Sequence, residues 1–330
     1  MSTAIESLMK ESRVFPPDEE FSSHAHIRSM EQYRALYEKS LNEPEAFWGE
    51  MASALHWFAP PSQVLVEEPP HARWFVGGTT NLSYNCLDRH LASLRRNKAA
   101  ILWEGEGGDT RSLTYHQLHR EVPLRQRAAK ASGVRAGDRV AIYMGMVPEI
   151  AVADARVRAH RRGAHGDPWR LLAAEAVRDR VNDAKAMLVV TCDGAAPRSG
   201  GAAEEHRRRG DRAVPERAAR GGVQAHRRAG EHGSPAGHHY WHEVVEVVTR
   251  AARCPRRERA PAVHPYTSGT TGKPKGVVHT TGGYMVGTYL TTKRCPRPAR
   301  DRHVVCTADV GWITGHSYVV YGPPRTARRW

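Results

Sequence analysis

The chain has 330 residues, 40% of them hydrophobic, and a formal net charge of +14, enough length for two ordinary domains and a large core. No apolar run approaches the ~20 residues that span a bilayer, and Met1 to Lys10 shows neither the basic stretch nor the apolar core of a secretory signal. Five cysteines (Cys86, Cys192, Cys254, Cys295, Cys306) form no CxxC pair and no regular spacing, which excludes a disulfide framework and a structural zinc site and fits a reducing cytoplasm.

Residues 1–98 read as a largely helical preface with loops. From Ser29 to Met51 the apolar residues Met30, Tyr33, Leu36, Tyr37 and Leu41, then Phe47 and Trp48, recur at helical spacing and predict core-facing packing. Ala99-Ala-Ile-Leu-Trp103 predicts a strand. Thr114-Tyr-His-Gln117 has the spacing of a capping box and should open a helix. Gly137-Asp138 then turns the chain into a second apolar strand, Arg139-Val-Ala-Ile-Tyr-Met144. Ala173 to Ala184 reads as helix and Ala186-Met-Leu-Val-Val-Thr191 as a buried strand. Strands alternating with helices argue for an α/β sheet domain.

The positive charge is concentrated. Residues 151–260 hold 21 arginines and one lysine against 14 acidic residues. Between Ala195 and His239 there is no Ile, Leu, Met, Phe or Trp. Such a block has too little apolar surface to offset its ordering entropy, so disorder is the expectation there. A basic balance of this kind would ordinarily point to nucleic acid or an anionic surface. Without interleaved aromatics it supplies no platform for stacking bases, so polyanion binding would be unspecific. His238, His239 and His242 have metal-compatible helical spacing, yet no carboxylate or cysteine pattern partners them, and they read as surface histidines beside a short helix.

The densest chemistry is Tyr266-Thr-Ser-Gly-Thr-Thr-Gly-Lys-Pro-Lys-Gly276. Glycines admit sharp turns and close backbone approach, while clustered hydroxyls, amides and lysines satisfy phosphate oxygens. It is not a Walker loop, because Gly269 and Gly272 enclose two residues and Pro274 follows Lys273.

This string resembles the phosphate loop of the adenylate-forming enzymes, which activate carboxylates with ATP. Two later segments narrow the resemblance to the AMP-forming acetyl-CoA synthetases: Val277-Val-His-Thr-Thr-Gly-Gly-Tyr284, then Cys306-Thr-Ala-Asp-Val-Gly-Trp-Ile-Thr-Gly-His-Ser-Tyr318. Earlier segments agree: Phe15-Pro-Pro, Glu45-Ala-Phe-Trp48, Trp74-Phe-Val-Gly-Gly78, Asn81-Leu-Ser-Tyr-Asn85 and Asp88-Arg-His90. The resemblance covers roughly two thirds of the chain. It implies an α/β fold, the incomplete N-terminal part of the family's large domain. Residues 1–98 would be the N-terminal helical and loop region, and 99–330 a partial AMP-binding domain. The chain is about half the length the family needs, so the mobile C-terminal domain and its catalytic lysine are expected beyond residue 330.

Blocks 152–172, 195–239 and 294–302 depart from the family pattern, as do Arg253 to Arg259 and Pro324 to Trp330. Where an apolar helix and buried strand should follow Ile150, the chain reads Ala155-Arg-Val-Arg-Ala-His-Arg-Arg162. Arg, Ala, Gly and Pro are the vocabulary of a GC-rich gene read out of frame. Matching sequence returns repeatedly between the blocks, which a genuine basic insertion would not need. They therefore read as frame-shifted translation, and the final seven residues as an off-frame run to a premature stop. A real disordered basic region is the alternative.

The resemblance implies ATP, magnesium entering with it, acetate and coenzyme A as partners. Thr267, Ser268, Gly269, Thr270, Thr271, Gly272, Lys273, Lys275 and Gly276 would hold the phosphates. Trp312, Ile313 and Thr314 match the segment that lines the acyl pocket, with Thr314 also near coenzyme A; taken alone, Trp312 and Ile313 would read as ordinary core. His316 reads as a structural histidine and Asp309 as a turn residue. Thr191-Cys-Asp-Gly194 matches the lead-in to the family's coenzyme A nucleotide contacts, but Ala195-Ala-Pro-Arg198 does not continue it, so Arg198 is not assigned that contact. The expectation is an acetate–CoA ligase whose present chain is inactive, with propionate or another short acid as the runner-up substrate. A non-catalytic, polyanion-binding basic protein is the reading from another class.

Overall fold

The computed structural model describes residues 15–105, 108–121, 138–157, 164–166, 174–192, 223–227, 238–240, 255–263, 265–267, 275–294 and 308–323. Three helices open it: α1 (Glu19–His24), α2 (Met30–Asn42) and α3 (Pro44–Ser53). Asp18 and Ser29 accept the Phe21 and Gln32 amides at 2.9 and 3.1 Å, capping the first two. Pro44 takes the first position of α3, where its missing N–H costs nothing. The core-facing stripe expected on α2 is corrected. Met30, Tyr33, Tyr37 and Leu41 are 47 to 63% exposed, and among these positions only Leu36 packs against the core. Helical spacing marks an apolar face but does not supply an element to cover it. In α3 the expectation holds, with Phe47 and Met51 buried.

Hairpin β1–β2 (Gln63–Glu68, His71–Val76) comes next, then β3 (Thr79–Thr80) and α4 (Leu82–Cys86). Strands β4 (Ala99–Glu104) and β5 (Thr110–Thr114) form their own antiparallel pair. Residues 115–121 are helical, opened by the expected capping box: Gln117 N–H donates to Thr114 Oγ1 at 3.1 Å and Thr114 N–H to Gln117 Oε1 at 2.8 Å.

The remaining strands are β6 (Arg139–Tyr143), β7 (Ala164–Gly166), β8 (Ala186–Cys192), β9 (Val223–Arg227), β10 (His238–Tyr240), β11 (Arg256–Arg257), β12 (Pro261–Val263), β13 (Tyr266–Thr267), β14 (Lys275–Gly276) and β15 (His279–Thr280). Helices α5 (Pro148–Val157) and α6 (Ala174–Asp183) connect β6 to β7 and β7 to β8. The main sheet has the order β10-β9-β8-β6-β7-β12-β15. Its centre, β8-β6-β7-β12, is parallel and its outer pairings antiparallel. Val140, Ala141 and Ile142 are all buried, as are Leu188 and Val190. Burial on both faces is what a central parallel strand demands. The α/β class read from the sequence stands.

Three of these strands fall in or at the border of the divergent blocks, of which 195–239 was expected to lack order. Ala164–Gly166 lies between β6 and β12, and Val223–Arg227 and His238–Tyr240 line the edge beyond β8. Strand pairing is made by backbone N–H and C=O groups, so a block poor in apolar side chains can still extend a sheet. The rest of 195–239 lies outside the described residues. His238 and His239 stand on a strand, which removes the helical spacing read for them; His242 lies outside the described residues.

Helix α7 (Thr281–Arg294) is largely buried. Tyr284, Met285, Val286 and Tyr289 pack in one cluster with Phe47 and Met51 of α3, Phe75 of β2, and Val320 and Tyr321. A short α8 (Ile313–Gly315) runs into a π-helix over His316–Tyr321. Among the described residues, no helix is long and apolar enough to cross a membrane.

Candidate functional site

Tyr266 pairs with Gly276 and Thr267 with Lys275, antiparallel. Ser268, Gly269, Thr270, Thr271, Gly272, Lys273 and Pro274 lie outside the described residues. The described residues that flank them, Thr267 and Lys275, face each other across this pairing. Lys275 and Gly276 are exposed. The Val277 N–H donates to the buried Pro265 carbonyl at 2.9 Å. Tyr266 donates its hydroxyl to Asp183, and the Arg180 guanidinium lies 6.0 Å from the Tyr266 ring centroid. The hairpin is thus tied to the last turn of α6. The next residue, Ala184, accepts from Arg139, the first residue of β6, so this anchor lies toward the amino ends of β6 and β8.

The second candidate segment is anchored at the other end of β6. Val310 is buried, and its N–H donates to Met146 Sδ at 3.3 Å, just past the carboxyl end of that strand. Asp309 shapes the adjoining turn: its Oδ1 accepts the Gly311 amide at 2.7 Å and its carbonyl the Trp312 amide at 3.1 Å. This is the turn role read for Asp309. Gly315 closes against it, since a Cβ there would stand 2.0 Å from the Asp309 carbonyl oxygen.

Trp312 is 61% exposed and Thr314 is exposed, whereas Ile313 between them packs against the core. The reading of Trp312 as ordinary core is corrected: it presents an aromatic surface outward, available to a ligand. Ile313 is the supporting residue. His316 is 1% exposed, and its backbone N–H donates to the Trp312 carbonyl at 3.0 Å. A ring so enclosed has no access to a substrate, which agrees with a structural role.

Thr191 and Cys192 end β8, and Asp193, Gly194 and Arg198 lie outside the described residues. Among the described residues, no three His, Cys, Asp or Glu side chains gather where they would hold a metal ion.

Sequence reasoning passed over Met146 and Trp103. Trp103 Nε1 donates to the Met146 carbonyl at 2.6 Å, which brings the β4–β5 pair to the same strand end as Val310. No local pattern announces a contact between residues so distant in sequence.

Comparison with known proteins adds an independent line. Residues 33–86 match the family described as acetyl-coenzyme A synthetase N-terminus, and residues 87–326 the AMP-binding enzyme family. The chain is 43% identical over 329 residues to the acetyl-coenzyme A synthetase of Chlorobaculum tepidum, covering 98% of this chain and 49% of that protein. It is likewise 43% identical to that of Gemmatimonas aurantiaca, covering 97% of this chain and 49% of the relative. The solved acetoacetyl-CoA synthetase from Streptomyces lividans superposes with a TM-score of 0.70 at 21% identity, over 94% of this chain and 49% of that one. That likeness concerns the fold. The chain spans about half the length of the curated relatives it matches.

Proposed function

Because the chain belongs to the AMP-binding enzyme family, we propose that it carries the N-terminal half of an AMP-forming acetate–CoA ligase, inactive without the other half. The observation that carries this reading is the hairpin register. Thr267 stands opposite Lys275, so the residues flanking the glycines, hydroxyls and lysine of this motif are held side by side, which supports reading the motif as a phosphate cradle.

In the first half-reaction an acetate oxygen attacks the α-phosphorus of ATP and pyrophosphate departs, leaving acetyl-adenylate. Charge builds on the leaving pyrophosphate, and donors held in place before the reaction stabilise it best. Ser268, Thr270 and Thr271 would donate hydroxyls, Gly269 and Gly272 backbone amides, and Lys273 or Lys275 positive charge. Magnesium bound to ATP would share that charge. In the second half-reaction the coenzyme A thiol attacks the acyl carbon and AMP leaves. Trp312 would wall the acyl pocket from its outward-facing position, backed by Ile313, with Thr314 toward coenzyme A. A wall of this kind favours short acids, so acetate is the first substrate and propionate the alternative. All are small molecules, and the protein is assigned to the cytoplasm.

Residues 1–98 then form the N-terminal region and 99–330 part of the adenylation domain. Blocks 152–172, 195–239 and 294–302 read as out-of-frame translation. In support, an alignment of 329 residues covers 98% of the chain, so the blocks replace family sequence at nearly equal length instead of adding to it. That argues against a basic insertion evolved for polyanions. Resequencing the gene tests the point: single-base changes that restore one frame of about twice this length support the reading. A confirmed frame encoding the present chain removes it. Steeply salt-dependent RNA or DNA binding would then favour the polyanion reading.

A further inference from the structure

Met146 is 42% exposed and receives two segments that are far apart in sequence. Its carbonyl accepts Trp103 Nε1–H at 2.6 Å, and its sulfur accepts the Val310 amide at 3.3 Å. Arg111, on the strand paired with the one that bears Trp103, meets Glu149 in the first turn of α5 at 2.6 Å. The β4–β5 pair is therefore held to this strand end at two points, which leaves Met146 little freedom to follow the turn if the turn moves. Val310 is buried, so its amide depends on protein acceptors. The turn that begins there carries Trp312 and is rigid in its own right, through the two Asp309 hydrogen bonds and the close seat of Gly315. A rigid turn moves as a unit, so whatever fixes Val310 also fixes Trp312.

We propose that Met146 is a positioning residue: its sulfur seats the Val310 amide and thereby sets where Trp312 stands at the carboxyl end of β6. The consequence for acid selection rests on the reading of Trp312 as the acyl wall; the placement itself is measured without substrate. A thioether suits the task because it is a weak acceptor on a long unbranched stem and fills an irregular gap. Leucine matches its volume without an acceptor, and glutamine keeps an acceptor at similar reach.

The test is amide exchange by NMR on the 330-residue chain, with fluorine spectra of 5-fluorotryptophan-labelled protein in which Trp312→Phe identifies the Trp312 resonance. Met146→Leu should speed Val310 exchange about three- to tenfold, as loss of one hydrogen bond implies, and shift the Trp312 resonance. Met146→Gln should hold exchange within about twofold of the parent and return the resonance toward its parental position. An unprotected Val310 amide in the parent overturns the proposal. So does a Leu variant that behaves like the parent, or a Gln variant that fails as the Leu variant does, since volume alone would then decide. A full-length protein that activates no acid would leave these readings unchanged and would count only against the proposed function.

Discussion

Asn85 and His56 hold each other by both ends: Asn85 Oδ1 accepts the His56 amide at 2.8 Å, and Asn85 Nδ2 donates to the His56 carbonyl at 3.0 Å. Asn85 has no solvent exposure, and the same amide also reaches Thr80 Oγ1 and the Asn81 carbonyl, each at 3.1 Å. One side chain thus satisfies the backbone between α3 and β1. Asn85→Ala removes the acceptor of the His56 amide, while the His56 carbonyl keeps the Thr80 hydroxyl at 2.7 Å. The substitution should cost about 2–4 kcal/mol, seen as a lower urea midpoint at unchanged slope. A loss no larger than that of an exposed substitution would remove Asn85 as the organiser of this junction.

Two glycines should respond with opposite signs. A Cβ on Gly315 would stand 2.0 Å from the Asp309 carbonyl oxygen, whereas one on Gly287, inside α7, meets nothing within 4 Å. Gly315→Ala should destabilise by roughly 1–3 kcal/mol through forced backbone movement. Gly287→Ala should stabilise by about 0.5–1 kcal/mol from helix propensity and a stiffer unfolded chain. Thermal unfolding of both variants decides it; equal shifts would contradict the packing described for α8.

Burial pushes the phenol of Tyr115 well above the usual tyrosine range. The folded chain therefore keeps this proton at pH values where the unfolded chain releases it. Its contribution is complete below the ordinary value of about 10 and is lost as pH rises from there through the raised folded value, by up to ~1.4 kcal/mol per unit. Tyr115→Phe should flatten the alkaline limb of stability against pH relative to the parent. Identical alkaline slopes would show that the ring is not enclosed.

Exposure of Trp312 beside a supporting Ile313 predicts a change of substrate when the wall is removed. In the full-length ligase, Trp312→Ala should raise use of longer straight-chain acids relative to acetate by about 10–200-fold, the usual range for one methylene of pocket depth. Competition assays between acetate and propionate measure the ratio. An unchanged ratio would place the acyl wall elsewhere.

Much of the fold was legible in the residues, for identifiable reasons. The strands at Ala99–Glu104, Arg139–Tyr143 and Ala186–Cys192 are continuous apolar runs bounded by polar turns. Thr114 and Gln117 announce their helix because the capping box is local chemistry. Strands Ala164–Gly166 and Val223–Arg227 were not legible, since backbone pairing without apolar alternation leaves no pattern to read. The open face of α2 was misread because periodicity reports a stripe and says nothing of its neighbour. At the candidate site, the composition of 266–276 suggests phosphate chemistry, and the structure describes only its flanks, Tyr266, Thr267, Lys275 and Gly276. The seating of Val310 on Met146 was not legible, because it joins residues that only the fold brings together.

Acetate-dependent ATP–pyrophosphate exchange tests the proposed half-enzyme most directly, run on the 330-residue chain and on the full-length protein obtained once the reading frame is restored. Orientation of the reacting groups supplies on the order of 7–11 kcal/mol in such reactions, and these 330 residues span about half the length of the relatives they match. Background exchange is expected from the short chain. Strong exchange is expected from the long one, abolished by the Lys273→Ala, Lys275→Ala double variant. Exchange by the short chain that disappears in the double variant would contradict the claim that the second half is required. A full-length protein whose exchange survives the double variant would contradict the assignment of the loop.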